Sequence, residues 1–212
     1  MRTWTIVVAA GGGARFGAAK QFVELGGASV LERAVATARE ASGGVVVVLP
    51  EGNAWSAPDG VRVAVGGATR SDSVRAGLAQ VPDDVDIVIV HDAARPLASR
   101  GLFDAVVRAV GAGADGAVPG LAVSDTLKRV HDDRVVETVA REGLVAVQTP
   151  QAFRSQALRA AHAVGGVDTD DAALVEANGG VVVVVAGEPG NLKLTRPEDL
   201  ELARALLDGA RA

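Results

Sequence analysis

The residues best equipped for chemistry are Arg15 and Lys20. They are the two cations of the run Ala9-Ala10-Gly11-Gly12-Gly13-Ala14-Arg15-Phe16-Gly17-Ala18-Ala19-Lys20-Gln21, which carries no acidic residue. Glycines let backbone N–H groups close on an anion, and the cations add fixed positive charge beside them. The run follows Ile6-Val7-Val8, an apolar β-branched stretch that reads as a buried strand, so the loop opens at a strand's carboxyl end. That is the grammar of a phosphate site. A Walker loop is excluded, because the register from Gly12 to Gly17 continues into Ala18-Ala19-Lys20 with no hydroxyl for magnesium. A dinucleotide fingerprint is incomplete: Gly11-x-Gly13 reaches Phe16 where the third glycine belongs, and no acidic residue closes a second strand about 20 positions on. Dinucleotide binding stays as a second reading and a plain tight turn as a third.

Three further places carry candidate chemistry. Gly66-Gly67-Ala68-Thr69-Arg70-Ser71-Asp72-Ser73 can let a ligand lie against backbone while Ser73 donates a hydrogen bond to it; a turn and helix cap explains the same residues equally well. In His91-Asp92-Ala93-Ala94-Arg95-Pro96, Asp92 could hold a ribose hydroxyl or a magnesium ion and Arg95 could clamp an anion, or the two could form a structural ion pair. His91 reads as an inward or capping residue, and neither His131 nor His162 has metal-ligand spacing with it, so no zinc site is expected. Lys193 falls between a strand and a helix, where an ammonium can reach an anion. Lysine occurs only at 20, 128 and 193 among basic residues that are otherwise arginine, so each is a candidate for a position that needs a compact ammonium.

The elements that must position these groups alternate between strand and helix. Ser29-Val30-Leu31-Glu32 is a capping box, followed by Leu31, Ala34, Val35 and Ala38 at helical spacing. Residues 45–49 and 61–65 read as buried strands, with a surface excursion over 51–60; a helix follows through Val74, Leu78 and Val81, then the strand before His91, a helix over 99–110 and a strand over 116–121. The pattern then changes. Residues 125–130, 134–139 and 144–149 are short strand-like pieces separated by turn signals, which predicts a β-arm over 124–153 projecting from the main sheet and meeting the same arm of a second subunit. The last third returns to α/β form. It has a helix over 154–163, a helix capped at Thr169-Asp170-Asp171, a buried strand over 181–185, and a closing helix whose capping box is Thr195 with Glu198.

Composition narrows the classes. A chain of 212 residues with 49% hydrophobic residues can bury one core, and a single domain over 1–212 is expected. A net charge of -5 and 3% aromatic residues argue against a general nucleic-acid surface. The absence of cysteine removes thiolate chemistry and fits a reducing compartment. Apolar runs fall short of a membrane span and no signal peptide is legible, so a cytoplasmic protein without a membrane partner is expected.

Taken together, six stretches resemble the 2-C-methyl-D-erythritol 4-phosphate cytidylyltransferase family. They are the glycine loop with Lys20-Gln21, Gly66-Gly67 with Asp72-Ser73-Val74, His91-Asp92-Ala93-Ala94-Arg95-Pro96, Asp125-Thr126-Leu127-Lys128, Thr149-Pro150-Gln151-Ala152-Phe153, and the run from Asn191 through Leu200. The resemblance implies a Rossmann-like nucleotidyltransferase sheet with helices on both faces, an arm that completes a homodimer, CTP and a small polyol phosphate as substrates, and Mg2+ or another divalent cation as cofactor. By matching position it implies that Arg15 and Lys20 stabilise the transition state and that Ala10, Gly11, Gly13, Gly67, Arg70 and Ser73 line the CTP site. It further implies that Asp92, Arg95, Thr138 and Lys193 surround the acceptor phosphate, with Asp92 also a candidate metal ligand. A second-subunit basic role falls on Arg154 by a one-residue shift from Ser155, and Ala19 stands where the family generally has proline. A phosphate monoester brings its own oxyanion, so the lack of an activated serine, cysteine or histidine agrees with this chemistry. Two rivals are a ribitol 5-phosphate cytidylyltransferase and a non-catalytic nucleotide- or NAD-binding regulator.

Overall fold

Strands buried on both faces build the centre of the molecule. The computed structural model describes residues 1–11, 20–165 and 170–209. In chain order it contains β1 (Thr3–Val8), a 3-10 turn (Lys20–Phe22), a small hairpin of β2 (Glu24–Leu25) and β3 (Ala28–Ser29), α1 (Val30–Ala41), β4 (Gly44–Leu49), β5 (Val61–Val65), α2 (Arg70–Leu78), β6 (Ile87–Asp92), α3 (Arg100–Gly111) and β7 (Gly116–Ala122). A ribbon of β8 (Leu127–His131) and β9 (Arg134–Val139) follows, then β10 (Val145–Val147), β11 (Gln151–Arg154), α4 (Ser155–Ala163), α5 (Asp171–Ala177), β12 (Val182–Ala186) and α6 (Glu198–Gly209).

The main sheet runs β10-β7-β11-β6-β1-β4-β5, with β12 also paired to β7. Strands β6, β1, β4 and β5 are mutually parallel, as are β7 and β12, whereas β10 and β11 run antiparallel to their neighbours. Side-chain alternation sorts the core into two layers. Val7, Val45, Val47, Ile87, Ile89 and Ala152 pack on Leu31, Val35 and Ala38 of α1 and Phe103, Val106 and Val110 of α3. Ile6, Val46, Val48, Val88, Val90 and Phe153 pack on Val74 and Leu78 of α2, Leu158 of α4 and Val175 of α5. Helices therefore cover both faces, and α6 closes a smaller cluster through Leu200 and Ala203 against Leu25, Val30 and Leu194.

Connectivity sets where a ligand can lie. From β1 the chain crosses through α1 to β4 on one side, and from β5 it crosses through α2 to β6 on the other. The strand order thus reverses at β1, and the connections leaving the carboxyl ends of β1 and β5 go to opposite faces, which leaves a crevice there.

Several expectations are corrected. Both strands expected to be buried at 61–65 and 181–185 are edge strands with an exposed face, Val65 at 58% and Val184 at 55% exposure. Periodicity cannot distinguish an edge from a centre when valine fills both faces. Within the expected arm 124–153, only β8 and β9 form the separate ribbon; β10 lies along β7, and β11 fills the gap between β6 and β7. Residues 151–154, assigned in part to a helix, are therefore a central strand, and α4 begins one residue later at Ser155. At α6 the acidic partner of Thr195 is Asp199, which accepts from Thr195 N, Thr195 Oγ1 and Arg196 N, and not Glu198.

Candidate functional site

The crevice at the sheet's switch point is a cleft of about 430 Å³. It is lined by Val8 to Gly11, Lys20, Gln21, Gly67 to Arg70, Ser73, Asp92 to Ala94, Lys193 and Thr195. Each wall follows from the ladder beneath it. Ala9 N donates to Val48 O, Ala93 N to Val8 O and Gly66 N to Leu49 O, so the ends of β1, β4, β5 and β6 hold one another while their next residues turn into the loops. Gln21, buried, donates from Nε2 to Ala9 O at 3.0 Å and thereby pins the end of β1 to the 3-10 turn that carries Lys20.

The glycine-loop expectations divide. Arg15 and Gly13 lie outside the described residues. Ala10 and Gly11 line the cleft, and a Cβ built on Gly11 meets no atom within 4 Å among the described residues. Lys20 Nζ donates to Leu194 O at 2.6 Å, joining the first loop to the segment of Lys193. Leu194 N in turn donates to Ala94 O, so the loops after β1, β6 and β12 are tied at one point.

At the second loop, steric demand explains the glycines. A Cβ on Gly66 would stand 2.3 Å from the Ala10 Cβ, and one on Gly67 2.3 Å from the Asp72 Cβ. Both are forbidden contacts, so the two glycines let α2 and the first loop approach. Thr69 caps α2 in a capping box with Asp72, whose carboxyl is held below its ordinary value by hydrogen bonds from Thr69 and Arg75. Of the two readings of Ser73, ligand donor or turn and cap, the hydrogen bonds match the second: its hydroxyl donates to Thr69 O at 3.0 Å and accepts from Gly67 N at 3.3 Å, bracing the turn.

The charge of the cleft centres on Asp92, the last residue of β6, which is 8% exposed. Its Oδ2 is 2.7 Å from Lys193 Nζ and its Oδ1 3.4 Å from Arg70 Nε. Burial pushes the carboxyl up, but the charges of Arg70 and Lys193 outweigh it and hold Asp92 well below the usual carboxylate range. The structural ion pair that was the alternative reading of Asp92 and Arg95 is not what forms. Arg95 instead donates from Nη1 to Asn191 O at 2.7 Å and from Nη2 to Val147 O at 3.5 Å. Burial lowers its pKa against the pull of Asp92, and its Nε is buried without a partner among the described residues.

Behind Asp92 sits a neutral hydrogen-bonded histidine. His91 is fully buried, packed on Phe103 at 5.1 Å, with Nε2 3.1 Å from Arg95 O and Nδ1 3.2 Å from Thr149 Oγ1, which itself accepts from Asp92 N at 3.0 Å. Burial lowers its pKa to about 4, against the opposing pull of Asp92 and Arg95 O. This satisfies the neutral tautomer with a proton on Nε2, so His91 braces the 92–95 turn, as its inward reading implied. Sequence reasoning missed Gln148, Asn191 and Asp171 as supporting residues. Gln148 and Asn191 interlock the segment before Lys193 with the strand end at Thr149, Asn191 Nδ2 donating to Thr149 O at 2.9 Å.

Two expected site residues lie elsewhere in the single chain. Thr138 is exposed on β9, accepting from Lys128 Nζ at 2.6 Å. Arg154 ends β11 opposite Ile87, at the far edge of the sheet from Asp92, 3.8 Å from Asp115 and beside a second open cavity that includes Met1 and Arg159. An antiparallel β11 sends its last residue to the amino ends of the parallel strands, away from the cleft. Among the described residues no three His, Asp or Glu side chains are grouped to hold a metal, and both oxygens of Asp92 already face cations. That donor set does not suit a resident metal ion.

Sequence and fold both recur in known proteins. The family model described as 2-C-methyl-D-erythritol 4-phosphate cytidylyltransferase matches residues 3–209. A protein of that name from Rhodococcus jostii is 46% identical, covering 96% of this chain and 94% of its own length. A bifunctional enzyme IspD/IspF from Clavibacter michiganensis is 47% identical over 97% of this chain but 54% of its own, so the chain spans about half the length of such curated relatives. The crystal structure of the Thermus thermophilus enzyme of the first name superposes with a TM-score of 0.86 at 40% identity, covering 97% of this chain and 98% of that one. On the match of the family model over nearly every residue, the chain belongs to the 2-C-methyl-D-erythritol 4-phosphate cytidylyltransferase family.

Proposed function

We propose that the chain transfers CMP from CTP to 2-C-methyl-D-erythritol 4-phosphate, releasing pyrophosphate. The observation that carries this is the cleft itself, where Lys20, Arg70 and Lys193 converge with the open backbone of the first loop at the sheet's switch point. The acceptor phosphate, mostly dianionic at neutral pH, attacks the α-phosphorus in line; one P–O bond forms as the bond to the β-phosphate oxygen breaks, and pyrophosphate leaves with the electron pair. No protein nucleophile or base is needed, so the chain's task is to gather two polyanions and stabilise the transferring group with positioned cations. Lys20 serves the nucleotide side with Arg15. Asp92 holds Lys193 at the acceptor side, where its partly exposed ammonium can meet the incoming phosphate. A divalent cation such as Mg2+ enters with the triphosphate, as part of the nucleotide substrate.

The acceptor end is completed, in this reading, by a second copy of the chain. The ribbon β8–β9 exposes Val130, Val135 and Val136, and Leu144, Val145 and Val147, which follow it in the chain, are exposed as well, apolar side chains suited to an isologous contact. Thr138 and Lys128 share that ribbon. A homodimer formed there supports the role given to Thr138, and a monomer by light scattering at micromolar concentration refutes it. No helix among the described residues is long and apolar enough to cross a membrane, and the cysteine-free composition supports action in the cytoplasm.

The deciding experiment is Mg2+-dependent pyrophosphate release with CTP and methylerythritol phosphate, set beside ribitol 5-phosphate as acceptor and UTP, ATP and GTP as donors. Turnover restricted to CTP and methylerythritol phosphate supports the assignment. Preference for ribitol 5-phosphate, or nucleotide binding without pyrophosphate release, overturns it.

A further inference from the structure

A file of buried polar groups runs from the interior to the cleft and ends on Arg70. His162, near the end of α4, places Nε2 2.9 Å from Asp171 Oδ1; Asp171, the first residue of α5, places Oδ2 2.7 Å from Arg70 Nη1; and Arg70, the first residue of α2, reaches Asp92 through Nε at 3.4 Å. The Asp171 side chain is 0% exposed and His162 3%. Withdrawing a carboxylate from water costs several kcal/mol, and a buried ion pair rarely outperforms apolar residues of the same volume. Stability therefore gives no reason to keep these three polar groups in the core. Orientation does. A guanidinium is planar, so contacts at Nη1 and Nε fix its plane, and the Nη2 corner makes no hydrogen bond among the described residues on a side chain that lines the cleft.

We propose that Asp171, held by His162, is a positioning residue for the nucleotide side of the cleft, acting through Arg70. Asp171 draws Arg70 away from a full pairing with Asp92, which keeps one oxygen of Asp92 for Lys193 and turns the unoccupied corner of Arg70 to the triphosphate. The inference rests on reading the cleft as the CTP site.

Asp171→Asn isolates the effect. An amide has one acceptor where the carboxylate has two, so Arg70 keeps the oxygen and the amide NH2 faces His162. The imidazole can meet it by moving its proton to Nδ1, which is now buried without a partner among the described residues. The variant is thus expected to fold while losing the charge that holds Arg70. CTP binding with Mg2+ and no acceptor, measured by calorimetry, is expected to weaken about tenfold, the loss of one charge-assisted hold. In steady state the KM for CTP rises by a similar factor while kcat and the KM for the acceptor stay within about threefold of wild type. His162→Leu weakens CTP binding to a smaller extent, and His162→Gln, which retains a donor, restores it.

A wild-type protein that fails to bind CTP sinks the reading of the cleft. A wild type that binds CTP, with Asp171→Asn binding it equally well, sinks the positioning role alone. Equal increases in KM for both substrates mark a merely structural residue and also overturn it. Should Asp171→Asn show no cooperative melt, the His162 pair decides: His162→Leu binding CTP as tightly as His162→Gln refutes the proposal.

Discussion

Replacing Asp92 by asparagine tests the electrostatic centre of the cleft through stability as well as catalysis. The substitution keeps shape and removes one charge, leaving Lys193 and Arg70 facing a neutral amide. Removing one partner of a fully buried pair costs about 3–5 kcal/mol. Two features reduce that here: Lys193 is 45% exposed and can rehydrate, and Arg70 retains Asp171. A loss of about 2 kcal/mol is therefore expected at pH 7. For a chain of this size that is a fall in Tm of about 4–8 °C. The sign of the pH dependence follows from the depressed carboxyl. A group whose folded pKa lies below its unfolded value contributes fully above the unfolded value, near pH 4, and loses that contribution as pH falls toward the folded one. The gap between wild type and Asp92→Asn should thus be constant from pH 5 to 7 and shrink below about pH 4. Urea unfolding at a series of pH values reads it directly. A gap under about 0.5 kcal/mol at pH 7, within the scatter of surface substitutions, or one unchanged at pH 3, refutes the claim that Asp92 is stabilised as an anion by its two cations.

Four further outcomes are expected. Lys20→Ala should lower kcat about 100-fold or more, as for the loss of one transition-state donor, and near-normal turnover would remove Lys20 from the chemistry; Lys193→Arg should also lose much of the activity despite keeping its charge, because a forked guanidinium cannot occupy the 2.7 Å point contact with Asp92 in the same way. Gly67→Ala places a Cβ 2.3 Å from that of Asp72, so the cap of α2 must shift; a loss of about 1–3 kcal/mol by thermal melting together with weakened CTP binding is expected, and a wild-type melt would show that the turn yields freely. Because burial depresses His91 to about 4, the unfolded chain takes up a proton that the folded one refuses as pH drops below about 6.5, and stability should decline from there toward pH 4. In His91→Gln that portion of the decline should be missing, and an unchanged pH profile in urea unfolding would contradict a neutral buried imidazole.

The parts of the molecule legible in the sequence were those fixed by local physics. Capping boxes located α1, apolar β-branched runs located β1, β4 and β6, and glycine pairs located both loops of the cleft, because each signal is complete within a few residues. What stayed hidden depends on partners distant in sequence. β11 is four residues long and owes its place to the strands on either side of it, and the exposed faces of β5 and β12 follow from strand order, which no residue of either strand encodes. Asp92 with Arg95 is a natural pairing at three residues' separation, yet the fold gives Asp92 to Arg70 and Lys193, 22 and 101 positions away, and gives Arg95 to backbone carbonyls.

That exchange of partners changes what the cleft can do. Had Asp92 paired with Arg95, one end of the site would be neutral and fixed, with Lys193 a solitary cation on the surface. Instead a single carboxylate holds two cations that come from opposite walls, and its second oxygen is what keeps Lys193 over the cleft. In the proposed reaction an incoming phosphate dianion would compete with Asp92 for the same ammonium, which would make the resting ion pair a place-holder for substrate charge. This predicts that the pairing of Lys193 with Asp92 matters more to the empty protein than to the complex with acceptor. Removing Asp92 should destabilise the empty protein, yet cost less of the acceptor affinity than removing Lys193, because the phosphate can itself hold the ammonium once bound. A double-mutant cycle on acceptor KM and on Tm, with Lys193→Met and Asp92→Asn, separates the two. Acceptor KM more sensitive to Asp92→Asn than to Lys193→Met would mean that Asp92 itself contacts the acceptor and is no mere holder of Lys193.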